Sequence, residues 1–195
     1  MLAISALLAT TAHAQPPAAQ GAGKAVAIFA GGCFWCSESD FEKLPGVIEV
    51  ESGYTAGKTA NPTYEQVSAG HTGHTEAVRI IYDPKKISYA QLLDFFWRHM
   101  DPTVKDRQFC DIGSQYRSGI YWQNEAERKA AETSRGALLK SGRFKTIHTE
   151  LAPASTFWLA EDYHQNYYKK NPLRYNYYRK SCGRDARLEE IWGTK

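Results

Sequence analysis

The chain has 195 residues, with 24 Lys and Arg against 21 Asp and Glu and a formal charge of +3. That length is enough for one domain with a full core, and 12 Tyr among an ample aromatic set exclude a disordered chain. The basic residues are scattered, which excludes a nucleic-acid patch; the denser set near the C-terminus (Lys169, Lys170, Arg174, Arg179, Lys180, Arg184) reads as a solvated face.

In chain order, residues 2–9 are apolar and Ala12-His13-Ala14 is a small-x-small cleavage pattern. No basic residue precedes the apolar stretch. Residues 1–14 are therefore expected to be a signal peptide, making the protein exported and, in a Gram-negative source, periplasmic; without cleavage it would be cytoplasmic. Residues 15–23, rich in Pro, Ala and Gly, read as a flexible lead-in. No later segment is apolar for long enough to span a bilayer. Residues 24–195 are expected to form the functional domain with a C-terminal tail.

Residues 25–30 read as a buried strand and 34–44 as a helix, with Glu38, Asp40 and Glu42 near its start and Pro45-Gly46 at its end. Residues 47–54 read as a strand and 55–73 as a loop with one helical turn. Residues 76–82 read as a strand closed by Asp83-Pro84. Ser88 caps a helix whose Leu92, Leu93, Phe95, Phe96 and His99 share a face. A long polar loop, 101–115, holds Pro102, Cys110 and Gly113. Residues 118–122 predict a strand, 124–139 a charged helix, 146–151 a strand, and 162–170 a short helix stopped by Asn171-Pro172. Strands and helices mix without strict alternation or repeat. The expected fold is a single α+β domain, with helices around a mixed sheet.

The densest chemistry lies at residues 31–36, Gly-Gly-Cys-Phe-Trp-Cys, between the first strand and first helix. Backbone N–H groups at a helix start favour an anion, so a lowered pKa is expected for Cys33. The two glycines permit close backbone approach to whatever the sulfur attacks. Phe34 and Trp35 supply an apolar wall, and Cys36 is near enough to form a disulfide with Cys33. Glu76 opens a strand; a carboxyl among aromatic groups keeps its proton and can deliver it to a leaving oxygen. Tyr64 and Tyr116 lie in loops and can offer O–H donors. His164 is expected to order the local fold.

Cys33-x-x-Cys36 with His71 and His74 makes half a zinc pattern, but no second Cys-x-x-Cys completes it. No metal is expected, and no P-loop or G-x-G-x-x-G signals a nucleotide. Taken alone, the Cys-x-x-Cys also suits a thioredoxin-like disulfide oxidoreductase, and the four cysteines also suit structural bridges in an exported, non-enzymatic domain.

Four segments narrow this: Gly-Cys-Phe-Trp-Cys-Ser-Glu at 32–38, Gly-His-Thr-Glu-Ala-Val-Arg-Ile-Ile-Tyr-Asp-Pro at 73–84, Asp-Ile-Gly-Ser-Gln-Tyr-Arg-Ser at 111–118 and Glu-Asp-Tyr-His-Gln at 161–165. Their content and order resemble the class A peptide methionine sulfoxide reductases over residues 25–172. The resemblance implies that family's ferredoxin-like α+β fold and reduction of methionine-(S)-sulfoxide, free or in oxidised proteins. It implies Cys33 as the nucleophile, Glu76 as the acid, Tyr64 and Tyr116 on the sulfoxide oxygen, and Asp111 as a positioning group of the same pocket. Phe34 and Trp35 match the pair that holds the substrate methyl. A disulfide recycled by a thioredoxin-like partner is implied, with no cofactor, no metal and no nucleic acid. Nothing in the sequence suggests an obligate oligomer, and a monomer is expected. Two departures stand out. Cys36 replaces a common Gly, and the segment after Asn171-Pro172 lacks the family's Gly-Tyr-Cys. The resolving cysteine is therefore Cys36 by first choice or Cys182, with no role assigned to Cys110.

Overall fold

The computed structural model describes residues 14–15 and 23–193. Apart from Ala14, Gln15 and Gly23, the expected leader and lead-in lie outside these residues. Strand β2 (Ala25–Gly31) is apolar on both faces and runs in the interior of a sheet. Its Ala27 and Phe29 face one core and its Val26, Ile28 and Ala30 the other, as the two-residue period of a strand requires. Helix α1 (Phe34–Phe41) follows at once. Then come β3 (Val47–Thr55), the short α2 (Tyr64–Ser68) and β4 (Thr75–Tyr82).

Three helix starts show why the chain turns where it does. Thr63 and Ser88 each form a capping box, with Gln66 and Gln91, before α2 and α3 (Tyr89–Arg98). The Asn124 side chain accepts from the Glu127 amide before α4 (Glu125–Lys140). Between α3 and α4 lie the small hairpin β5 (Arg107–Gln108) and β6 (Asp111–Ile112), a 3-10 turn at Ser114–Tyr116, and β7 (Ser118–Trp122). The remainder is β8 (Glu150–Pro153), β9 (Phe157–Leu159), α5 (Tyr167–Lys170), α6 (Pro172–Ser181) and α7 (Arg184–Trp192).

Among the described residues the main sheet has seven strands in the order β1-β9-β3-β4-β2-β7-β8, where β1 is Ala14–Gln15. Its pairings are antiparallel except β7 with β8. This is the expected mixed-sheet α+β domain. Its larger core packs Phe34 and Phe41 of α1 and Leu92, Leu93 and Phe96 of α3 on Phe29, Val78 and Ile80 of the sheet. No helix among the described residues is long and apolar enough to cross a membrane.

Several elements differ from the sequence reading. The strand expected at 146–151 begins only at Glu150, because it must pair in parallel with Gly119–Trp122. The 101–115 loop contains the β5–β6 hairpin, and β9 was not foreseen. Asn171-Pro172 does end α5, but Pro172 is also the first residue of α6, since a proline at N1 loses no hydrogen bond. The tail beyond it is two helices. Nor are Arg179 and Arg184 on a solvated face. Arg184 is buried, donating to the carbonyls of Gly31 and His99, and Arg179 binds Asp40 at 2.8 Å.

Cys110 and Cys182 form a disulfide across a sequence separation of 72 residues, joining the β5–β6 hairpin to the C-cap of α6. A loop of that size restricts the unfolded chain by about 4 kcal/mol. Cys110→Ser should lower the denaturation midpoint accordingly. Added dithiothreitol should lower the wild-type midpoint by more than that of the variant.

Candidate active site

β2 ends at Gly31, and Gly32 takes a left-handed φ of +84°. A Cβ on Gly32 would come within 2.5 Å of Gln108 Cβ. Gln108 is itself buried and bonded to the Asp101 backbone through both ends of its amide. The glycine thus admits the β5 hairpin, a packing reason in place of the expected approach to substrate. It delivers Cys33 to the N-cap of α1, with Phe34 in the first turn.

β4 places Glu76 beside this turn. Tyr54 of β3 is its cross-strand partner, and the Phe34 N–H donates to Glu76 Oε2 at 3.0 Å. Glu76 is only 3% exposed. Burial raises its pKa to about 8, against the Phe34 hydrogen bond, and Asp111 and Cys36 add to the rise. The carboxyl therefore holds its proton at neutral pH.

Cys33 and Cys36 are free and buried, and the Cys36 amide donates to the Cys33 carbonyl at 3.1 Å. The expected fall in the Cys33 pKa does not appear. Burial raises it, Cys36 raises it further, and Glu76 and Asp111 add to this. A helix start favours a thiolate by a modest amount, whereas removing the charge from water opposes it more strongly. Cys36 moves the other way. The Cys33 thiol hydrogen bond lowers its pKa, burial opposes, and the guanidinium groups of Arg184 and Arg179 help. Cys33 has φ −48° and ψ 119°, so it stands outside the helix proper. That removes the need to unwind a full helical turn in order to join the two sulfurs.

Half-buried groups form the rim. The Trp35 indole N–H donates to His164 Nδ1 at 2.9 Å, and its ring stacks on Tyr167 at 3.7 Å and 5°. Tyr64 lies against His164 at 4.4 Å between ring centroids. Glu161 seats the Tyr64 end of α2, accepting from the Tyr64 amide and the Tyr54 hydroxyl, each at 2.8 Å. Gln165 clasps Ser52 through the amide and carbonyl of that residue. In Glu-Asp-Tyr-His-Gln, then, Glu161, His164 and Gln165 all hold the pocket in shape. The sequence reading gave such a role only to His164.

Tyr116 completes the other wall. Its 3-10 turn is tied to β4 by the Thr75 hydroxyl, 3.1 Å from the Gln115 carbonyl and 3.1 Å from that of Arg117. Glu76, Tyr64, Asp111 and Cys33 all act electrostatically on Tyr116, whose pKa burial raises. Burial also raises Tyr64 and Asp111. The structure therefore brings together Cys33, Phe34, Trp35, Cys36, Tyr64, Glu76, Asp111 and Tyr116. Cys182 is tied instead into the bridge to Cys110, beside Asp111. His74 uses its ring to brace the loop before β4, Nε2 lying 2.8 Å from the Thr59 carbonyl and Nδ1 accepting from the Gly57 amide.

One pocket residue was missed. Tyr178 of α6 donates its hydroxyl to Asp111 Oδ2 at 2.6 Å and meets the Trp35 ring edge-on at 5.8 Å. Nothing in a tail with five tyrosines between 167 and 178 singles it out. Only the return of α6 over the site does so.

This arrangement holds a thiol, a protonated carboxyl, several O–H donors and an apolar wall in one recess. It suits attack by sulfur on a small centre whose oxygen is protonated as it leaves. The peptide methionine sulfoxide reductase family model matches residues 25–195. Peptide methionine sulfoxide reductase MsrA 2 of Caulobacter vibrioides is 51% identical over 86% of this chain and 85% of its own length. MsrA/MsrB of Vibrio cholerae is 52% identical over 86% of this chain, which spans 45% of that longer protein. The crystal structure of Mxr1 from Saccharomyces cerevisiae in reduced form aligns with a TM-score of 0.72 and 31% identity, covering 86% of this chain and 93% of Mxr1. Family match, fold and site agree, and the chain belongs to the peptide methionine sulfoxide reductase family.

Proposed function

We propose that this protein reduces methionine-(S)-sulfoxide, free or within oxidised proteins, to methionine. The observation that carries the reading is the buried, protonated Glu76 bonded to the Phe34 amide next to the Cys33 thiol. Trp35 and Phe34 enclose the methyl group. Tyr64, Tyr116 and Glu76 donate to the sulfoxide oxygen, and Asp111 orders the pocket. Protonation by Glu76 makes the sulfoxide sulfur electrophilic. Cys33 attacks it, methionine leaves as the thioether, and the oxygen remains on Cys33 as a sulfenic acid. The Cys33 thiol proton restores Glu76, so the site gains no net charge.

Cys36 is the resolving thiol. It condenses with the Cys33 sulfenic acid, releasing water and forming a disulfide, and its contact with Cys33 and its lowered pKa support this choice. A thioredoxin-like dithiol returns both sulfurs to thiols by exchange and leaves as its own disulfide. The enzyme acts as an exported, periplasmic monomer in the repair of oxidised proteins. Support for export comes from the apolar residues 2–9, the Ala12-His13-Ala14 pattern and the Cys110–Cys182 bridge, a bond typical of oxidising compartments.

The test is consumption of racemic methionine sulfoxide with dithiothreitol as reductant, followed by chiral analysis of what remains. Loss of the S epimer alone is expected. Loss of the R epimer, or no reaction, would overturn the reading; reduction of insulin disulfides instead would make the chain a disulfide oxidoreductase.

A further inference from the structure

We propose that Glu38 is a positioning residue of the sulfoxide site, gripping the Asn166–Tyr167 turn so that the Tyr167 ring backs the Trp35 indole. This rests on the reading of Trp35 as the wall for the substrate methyl. Glu38 is fully buried in α1, and the reaction makes no use of it. The Asn166 amide, next in the chain to Tyr167, donates to its Oε1 at 2.9 Å. Asn166 has a left-handed φ of 54°, which turns the chain at the start of α5.

Two side chains three residues apart on α1 thus hold two adjacent residues of the tail. Glu38 takes the amide of Asn166, while Trp35 takes the ring of Tyr167, nearly parallel and 3.7 Å away. Cys36, between them, packs on Tyr167 as well. Glu38 Oε2 meets no hydrogen-bond partner among the described residues. A buried carboxyl so placed is unfavourable for stability alone, since an apolar side chain would fill the volume without that penalty. Glu42 on the same helix and Lys169 on α5 face it, and burial raises its pKa to about 7. A glutamine in its place keeps the Oε1 acceptor and puts its amide nitrogen where Oε2 has no partner.

The experiment measures KM and kcat for methionine sulfoxide in Glu38→Ala, Glu38→Gln, Tyr167→Leu and the Glu38→Ala/Tyr167→Leu double variant. Glu38→Ala and Tyr167→Leu should each raise KM about 5- to 10-fold, the scale of one stacked aromatic pair, with kcat within about two-fold. The double variant should be no worse than the poorer single, because both act through one contact. Glu38→Gln should stay within about two-fold of wild type. Additive effects, an unchanged KM in Glu38→Ala, or a fall in kcat alone would overturn the proposal. If Glu38→Ala does not fold, an unchanged KM in Tyr167→Leu overturns it, and a raised KM there with Glu38→Gln near wild type supports it.

If wild type does not reduce methionine sulfoxide, the proposed function falls separately. The Trp35 indole N–H chemical shift, which the Tyr167 ring current sets, then decides. It should move in Glu38→Ala and hold in Glu38→Gln; no movement in Glu38→Ala would overturn the positioning role.

Discussion

Cys33→Ser is expected to abolish methionine formation, with a loss of about 10⁴-fold or more. A serine hydroxyl keeps the shape of the side chain, but it neither attacks a sulfoxide sulfur nor retains the oxygen as a sulfenic acid. Cys33 is the N-cap of α1 and makes no side-chain cap bond, a position that serine suits, so the variant should fold with a melting temperature close to that of wild type. The comparison with Cys36→Ser separates two jobs. Without reductant, Cys36→Ser should still form about one methionine per enzyme and then stop, because the nucleophile is intact and only resolution is lost. Rapid quench and counting of methionine per chain would read this directly. Turnover retained in Cys33→Ser would remove the mechanism.

The second large effect concerns protons. Glu76→Gln should lower kcat/KM by about 10²- to 10⁴-fold near neutral pH, the usual contribution of a positioned acid. In the wild type kcat/KM should fall as pH rises through about 8, where the raised Glu76 pKa lies and the carboxyl loses the proton it must donate. In Glu76→Gln that inflection should vanish, and the deficit should shrink at low pH where solution acid substitutes. A loss independent of pH would make Glu76 a merely structural residue.

The same shift sets a stability trend of defined sign. The folded protein holds this proton more tightly than the unfolded chain, whose glutamate titrates near 4.5. The resulting stability is present below that value and is lost as pH rises toward about 8. Thermal melts should therefore show Glu76→Gln gaining on wild type between pH 5 and 9, which a purely catalytic defect would not produce.

What the sequence disclosed follows from how local its signals are. β2 and β7 were legible as short apolar runs, and α2, α3 and α4 carry their caps next door in sequence. The motif resemblance names Cys33, Trp35, Tyr64, Glu76 and Tyr116 together, and the sheet explains why they meet. β4 runs antiparallel to β2, which brings the start of one beside the end of the other. What escaped depends on distance. The Cys110–Cys182 bond joins residues that only the folded tail brings together, and the count of cysteines permits three pairings. Tyr178 reaches Asp111 only because Pro172, read as a stop, starts another helix. The Cys33 thiol was misjudged for a related reason. Helix position is visible in a sequence, whereas the burial that outweighs it is a property of the assembled domain.

The pairing of the cysteines also bears on how the chain matures. Cys33 and Cys36 are neighbours in cysteine order, and so are Cys110 and Cys182. If the chain is exported as proposed, it enters an oxidising space from its N-terminus and presents them in that sequence. An oxidant that joins each new thiol to the last one exposed would make the native Cys110–Cys182 bond without any reshuffling. It would also close Cys33 onto Cys36, which is the state the enzyme reaches at the end of each proposed catalytic cycle. The newly delivered protein would then begin its working life oxidised, and its first encounter would be with the reductant rather than the substrate.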